Sequence, residues 1–131
     1  MILKQTISIG KFVRKRKVSK FKTVIKGLFE KKGENILAID VSKQSTYTDF
    51  LVLCTATSNK HAQTLADKVV EEAKKSKLSV IIEGYQQGEW ILLDLGSFVI
   101  HIFLQDIRDL YDIEGLWHGM PFYSIEEELK N

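Results

Sequence analysis

Acid–base, nucleophilic or metal chemistry in this 131-residue chain would have to come from few side chains: His61, His101 and His118, the single cysteine Cys54, and the carboxylates Asp40, Asp49 and Asp94 that border apolar runs. Two-metal phosphoryl transfer needs carboxylates gathered at neighbouring strand ends. Asp40 and Asp49 flank one loop, Asp94 closes a different run, and no D-x-D pair occurs. Cys54 ends the run Phe50-Leu51-Val52-Leu53-Cys54, the setting of a small buried hydrophobe rather than of a nucleophile. Phosphate loops of the Walker or G-x-G-x-x-G type, H-E-x-x-H, paired C-x-x-C and G-x-S-x-G are all absent. No cofactor or metal is therefore expected, and a binding role is favoured over an enzymatic one. The enzymatic alternative is a nucleotidyltransferase that uses Asp40, Asp49 or Asp94.

The elements that would position these residues follow from hydrophobic period. Phe21, Val24, Ile25, Leu28 and Phe29 form a helical stripe, with Ser19 as cap and Gly33 as stop. Ile36 to Val41 and Phe50 to Cys54 read as strands. Ser58 caps a long helix to about Lys75, striped by Ala62, Leu65, Ala66, Val69, Val70 and Ala73. Leu78 to Glu83, Trp90 to Leu95 and Phe98 to Leu104 are three further strands, the last two joined by a turn at Gly96-Ser97. A short helix follows from Asp106 to about Leu116. This order predicts an α/β (α+β) fold: a single mixed sheet of about five strands with flanking helices.

The hairpin carries the most information. Ile91, Leu93 and Leu95 share a face with Phe98, Ile100, Ile102 and Leu104, which must be core. The other face carries Trp90, Leu92, Asp94, Val99, His101 and Phe103. It is too apolar to stand open to water, so either a helix of the same chain or a partner covers it. Large aromatics with a polar rim are what protein interfaces enrich. His101 lacks companions for metal or catalytic work, and a structural histidine paired with Asp94 is the simpler reading.

Charge is lopsided. Residues 1–32 hold eleven Lys/Arg and one acid, Glu30, while residues 33–131 hold eight and sixteen, so the net charge of +2 conceals two opposed halves. The chain accordingly divides into a basic N-terminal arm (1–18), a domain (19–120) and an acidic C-terminal tail (121–131), where Ser124 to Glu127 resembles a capping box. Lys11, Arg14, Lys15, Arg16 and Lys17 suit proximity to phosphates, on RNA or an anionic membrane. They suit equally a solvated tail; an organellar presequence would also be basic and acid-poor, but this segment is Lys-rich, with only Ser8 and Ser19 as serines. No stretch approaches the roughly 18 apolar residues of a membrane span, and a lone thiol fits a reducing compartment. A cytoplasmic protein is expected, or an organellar one if the basic segment is a targeting signal.

Five short motifs also line up in order. They are Thr48-Asp49-Phe50-Leu51-Val52, the segment Thr55-Ala56-Thr57-Ser58-Asn59-Lys60-His61, and Glu83-Gly84 followed by Trp90 to Gly96. Val99-Ile100-His101-Ile102-Phe103 comes next, then Arg108 with Tyr111 to Trp117. Over about residues 20–118 the chain resembles the Iojap-like, or ribosomal silencing factor, family. Ile113 stands where that family usually has Leu, and residues 1–18 precede the start of many members. The resemblance implies a nucleotidyltransferase-like fold without the catalytic carboxylates. It implies binding to large-subunit ribosomal protein fourteen, steric exclusion of the small subunit, and homodimers off the ribosome. Organellar relatives assist large-subunit assembly, and sequence alone does not separate the two roles. The expected protein site is then Trp90, Leu92, Asp94, Val99, His101 and Phe103, bordered by Arg108, Tyr111 and Trp117, with ribosomal RNA near the basic arm.

Overall fold

A computed structural model describes residues 4–127. One seven-stranded mixed sheet runs through the molecule in the order β1-β7-β2-β3-β6-β5-β4. Its strands are β1 (Lys4–Ser8), β2 (Glu34–Asp40), β3 (Phe50–Ala56), β4 (Ile81–Glu83), β5 (Trp90–Asp94), β6 (Phe98–Leu104) and β7 (Phe122–Glu126). The five expected strands occupy the middle and one edge; β1 and β7 are additions. The helices are α1 (Ile9–Lys15), α2 (Lys22–Glu30, after a 3-10 turn at Ser19–Phe21), α3 (Asn59–Lys75), α4 (Gln105–Tyr111) and α5 (Ile113–Leu116).

Strand parity divides the core into two layers. On one face, Val52 and Cys54 of β3, Ile91 and Leu93 of β5, and Ile100 and Ile102 of β6 pack against the apolar stripes of α1, α2 and α3. This is the hairpin face expected to be core. On the other face, Leu37 and Ile39 of β2, Leu51 and Leu53 of β3, Phe103 and Phe122 form a smaller cluster under Ile107, Ile113, Trp117 and Met120. The central strand β3 is consequently buried on both sides at all seven positions.

Residues 1–18 were expected as an arm and 121–131 as a tail, yet their described parts complete the sheet. β1 pairs in parallel with β7, and β7 pairs antiparallel with β2. Ser8 caps α1 by accepting from the Lys11 amide at 3.3 Å. Ile9, Phe12 and Val13 are buried, and the Phe12 ring lies 5.3 Å from Phe50 and 5.4 Å from Tyr123. Each such side chain stabilises its docking by roughly 1.5–3 kcal/mol. The 124–127 segment is extended rather than a capped helical turn, because β2 offers it a ladder; residues 128–131 of the expected tail lie outside the described residues.

Candidate docking site

The outer face of the sheet, the one opposite α1–α3, is only partly roofed. Helices α4 and α5 and the following Trp117–Met120 segment cover β2, β3 and the end of β6. Toward β4 and β5 the roof stops. Trp90, Leu92, Asp94 and Val99 are half-buried there, and Ile81 on the edge strand is 66% exposed. Tyr111 at the end of α4, 56% exposed, stands beside this opening against Trp90, and Leu110 of α4 and Leu116 of α5 are 73% and 75% exposed. The sole Lys/Arg in residues 78–127 is Arg108, and it is buried. The stretch 78–127 therefore presents apolar and acidic side chains and no exposed Lys/Arg of its own; the exposed Lys4 of β1 lies beside Asp109, Asp112 and Glu114 of α4 and α5.

Of the nine residues expected at the protein site, Leu92, Asp94, Val99 and Tyr111 reach this surface and Trp90 and Trp117 are half-buried beside it. Phe103, His101 and Arg108 lie beneath it. Phe103 is fully buried, since it opposes Trp90 across the β5–β6 ladder and sits under the roof. His101 pairs with Trp90 rather than with Asp94: Trp90 Nε1 donates to His101 Nδ1 at 3.0 Å, and Asp94 instead accepts from the Gly96 amide in the turn. An imidazole that accepts at Nδ1 holds its proton on Nε2. Burial pushes the His101 pKa down to about 4, so the ring is neutral near pH 7. The Trp90 ring is in turn 4.8 Å from Tyr111. His101 thus sets the pose of Trp90, and Trp90 supports Tyr111.

Arg108 organises the roof. Its Nη1 donates to the Asn35 carbonyl at 2.9 Å and to Thr55 Oγ1 at 2.8 Å, while Nε and Nη2 donate to the Glu114 carboxylate. One guanidinium therefore ties α4 and α5 to β2 and β3, a task that requires a planar fork. Asp112, between α4 and α5, takes a left-handed conformation (φ 45°) and caps α5 by accepting from the Gly115 amide. Sequence reasoning missed Ile81, Leu110 and Leu116. Their cue was apolar side chains among the acids Glu83, Asp109 and Asp112 at positions with no partner stripe.

The residues considered for chemistry are spread apart. Asp40 accepts from the Ser42 amide and hydroxyl and forms an ion pair with Arg16. Asp94 stands across the ladder from Val99, Leu51 and then Ile39, three strands and about 14 Å from the Asp40 side of the sheet. The Cys54 thiol is fully buried, and burial pushes its pKa up to about 12. His61 is a junction: its Nδ1 accepts from the Thr57 amide, Nε2 donates to the Lys31 carbonyl at 2.7 Å, and its own amide donates to Ser58 Oγ. Among the basic residues, Lys11, Arg14, Lys15 and Lys17 are exposed on or after α1. Arg16 is not, because its guanidinium is held by Asp40 and lies over the Phe50 and Tyr123 rings.

The fold is a mixed α+β sheet with a helical layer on one side and a half-roofed apolar face on the other. The chain belongs to the ribosomal silencing factor family: the family described as "Ribosomal silencing factor during starvation" matches residues 14–131. It is 36% identical over 106 residues to the ribosomal silencing factor RsfS of Chromobacterium violaceum, covering 79% of this chain and 87% of that one. A crystal structure of a Chromobacterium violaceum protein superposes with a TM-score of 0.73 at 35% identity, covering 76% of this chain and 83% of that one. The mouse protein named "Mitochondrial assembly of ribosomal large subunit protein 1" is 33% identical over 94 residues, 69% of this chain and 41% of its own length.

Proposed function

We propose that this chain represses translation in the cytoplasm by sitting on the large ribosomal subunit, with the outer face against ribosomal protein fourteen, and blocking the small subunit sterically. The observation that carries this reading is the apolar opening at Ile81, Leu92 and Tyr111, built from a stretch, 78–127, whose only Lys/Arg is buried. Such a surface suits a basic partner, and proteins embedded in RNA are basic. The mechanism needs no turnover. Lys11, Arg14, Lys15 and Lys17 supply a second contact, with ribosomal RNA.

The test is binding of a Leu92→Arg/Tyr111→Ala variant to purified large subunits. Loss of about 2 kcal/mol or more in a folded variant is expected if these are central anchors. Unchanged affinity would move the site elsewhere. A second reading, assistance of large-subunit assembly, is favoured by the name of the mouse relative. Co-sedimentation with immature large particles and not with mature ones would favour it.

A further inference from the structure

The cations of the N-terminal segment lie on a folded surface, and that surface is larger than the segment. Helices α1 and α2 lie side by side on the layer opposite the proposed protein site, and their apolar residues Ile9, Phe12, Val13, Val24, Ile25 and Leu28 are buried to 2% exposure or less. What faces water is Lys11, Arg14 and Lys15 from α1, Lys17 and Lys20 from the connection, and Lys26 from α2. Among the described residues none of these six has an ion pair with a carboxylate. The single acid of residues 4–32, Glu30, is turned to Lys68 of α3 at 3.2 Å. On α3, Lys68 meets Glu71 and Glu72 and Lys75 meets the same two, while Lys60 and Lys74 are exposed without an ion pair among the described residues. Six such cations thus lie on α1, α2 and their connection, against Lys60, Lys74 and Lys77 on or just after α3.

We infer that the α1–α2 surface is a binding platform for the phosphate backbone of folded RNA, on the far side of the sheet from the protein-docking face. This deepens the RNA contact proposed above and rests on it. Uncompensated cations held on two packed helices need no backbone ordering on binding, and phosphate contacts of this kind are independent of base sequence. An anionic membrane is the poorer match. Stable interfacial binding needs apolar side chains to insert alongside the charges. Here the apolar faces of both helices are turned into the core, and the exposed large apolar residues (Tyr47, Ile81, Leu110, Tyr111, Leu116) belong to other parts of the fold. A single molecule then offers protein recognition on one side of the sheet and RNA recognition on the other.

The test is fluorescence anisotropy of a labelled RNA hairpin, over a salt series, with the full chain. Two variants of equal charge change are compared: Lys11→Gln/Arg14→Gln/Lys20→Gln/Lys26→Gln, and as control Lys60→Gln/Lys74→Gln/Lys75→Gln/Lys77→Gln. The first should lose about tenfold or more in affinity and flatten the log–log salt slope by about 3, with the control close to wild type. Equal losses in both would reduce the effect to net charge and overturn the assignment, as would a first variant with an unaltered slope. Equal dependence of phosphatidylserine vesicle binding on the same four residues would also overturn it in favour of lipid. The Leu92→Arg/Tyr111→Ala variant should keep its RNA affinity. If the wild-type chain bound this RNA but not large subunits, the silencing reading would fall and the platform would stand.

Discussion

Two buried polar residues, His101 and Arg108, lie beneath the proposed docking face, and each has a measurable signature. His101 is held neutral by burial, with its pKa lowered from 6.5 to about 4. Between those values the unfolded chain binds a proton that the folded chain excludes. Stability from this group is therefore fully present above pH 6.5 and falls as pH drops toward 4. Urea unfolding at pH 7 and pH 5 should differ by about 2 kcal/mol more for wild type than for His101→Gln. An identical difference in the two proteins would contradict a buried neutral ring. Arg108→Lys should cost about 2–4 kcal/mol, because an ammonium cannot reach Asn35, Thr55 and Glu114 together. Recovery of full stability in the lysine variant would show that charge alone sufficed. Strand parity made the membership of this face legible: Trp90, Leu92, Asp94, Val99, His101 and Phe103 do share one side. Depth was not legible, because burial of Phe103 and Arg108 depends on how α4 and α5 fold back over β2 and β3. No local period encodes that long-range contact.

At the level of elements, the N-terminal segment is part of the core. Phe12→Ala should destabilise the fold by about 3–5 kcal/mol in denaturant unfolding, since the ring packs against Phe50 and Tyr123. A cost below about 1 kcal/mol would indicate a loosely held arm. Helices α1, α2 and α3 all end alike, with a lysine in the left-handed conformation: Lys17 (φ 58°), Lys32 (φ 63°) and Lys77 (φ 58°). The next residue's amide then bonds back to the last turn, as Leu78 does to Ala73 at 2.8 Å. Glycine is the usual occupant of that position, so Lys77→Gly should raise the unfolding free energy by up to about 1 kcal/mol. For the same reason Gly33 does not itself make the turn expected of it; Lys32 does. Long elements with strong periods, α3 and the β5–β6 hairpin, were legible to within a residue or two. β1 was not, because an edge strand reading Lys-Gln-Thr-Ile-Ser holds a single apolar residue, Ile7, and so no alternation to read. α1 was hidden because its three apolar residues, in a helix of only seven, are matched by three lysines and arginines. β7 was hidden because its ladder partner, β2, is over eighty residues away.

Across the whole molecule, charge and apolar surface are sorted by layer. Cations gather on α1 and α2, while α4, α5 and the β4–β5 edge carry acids and exposed apolar side chains. Without a partner the second surface should drive self-association. Analytical ultracentrifugation of Leu110→Ser/Leu116→Ser against wild type should show a shift toward monomer; identical distributions would place any dimer contact elsewhere. The two-sided arrangement also explains why a net charge of only +2 said so little: the sum cancels what the layers separate. The central claim is that this fold, docked on a large subunit, leaves no room for the small one. Sucrose-gradient sedimentation of purified large and small subunits with and without the protein measures this directly. The account predicts loss of joined ribosomes, with the protein in the large-subunit fraction and the Leu92→Arg/Tyr111→Ala variant inactive. Undiminished joining with the protein bound to large subunits would contradict it.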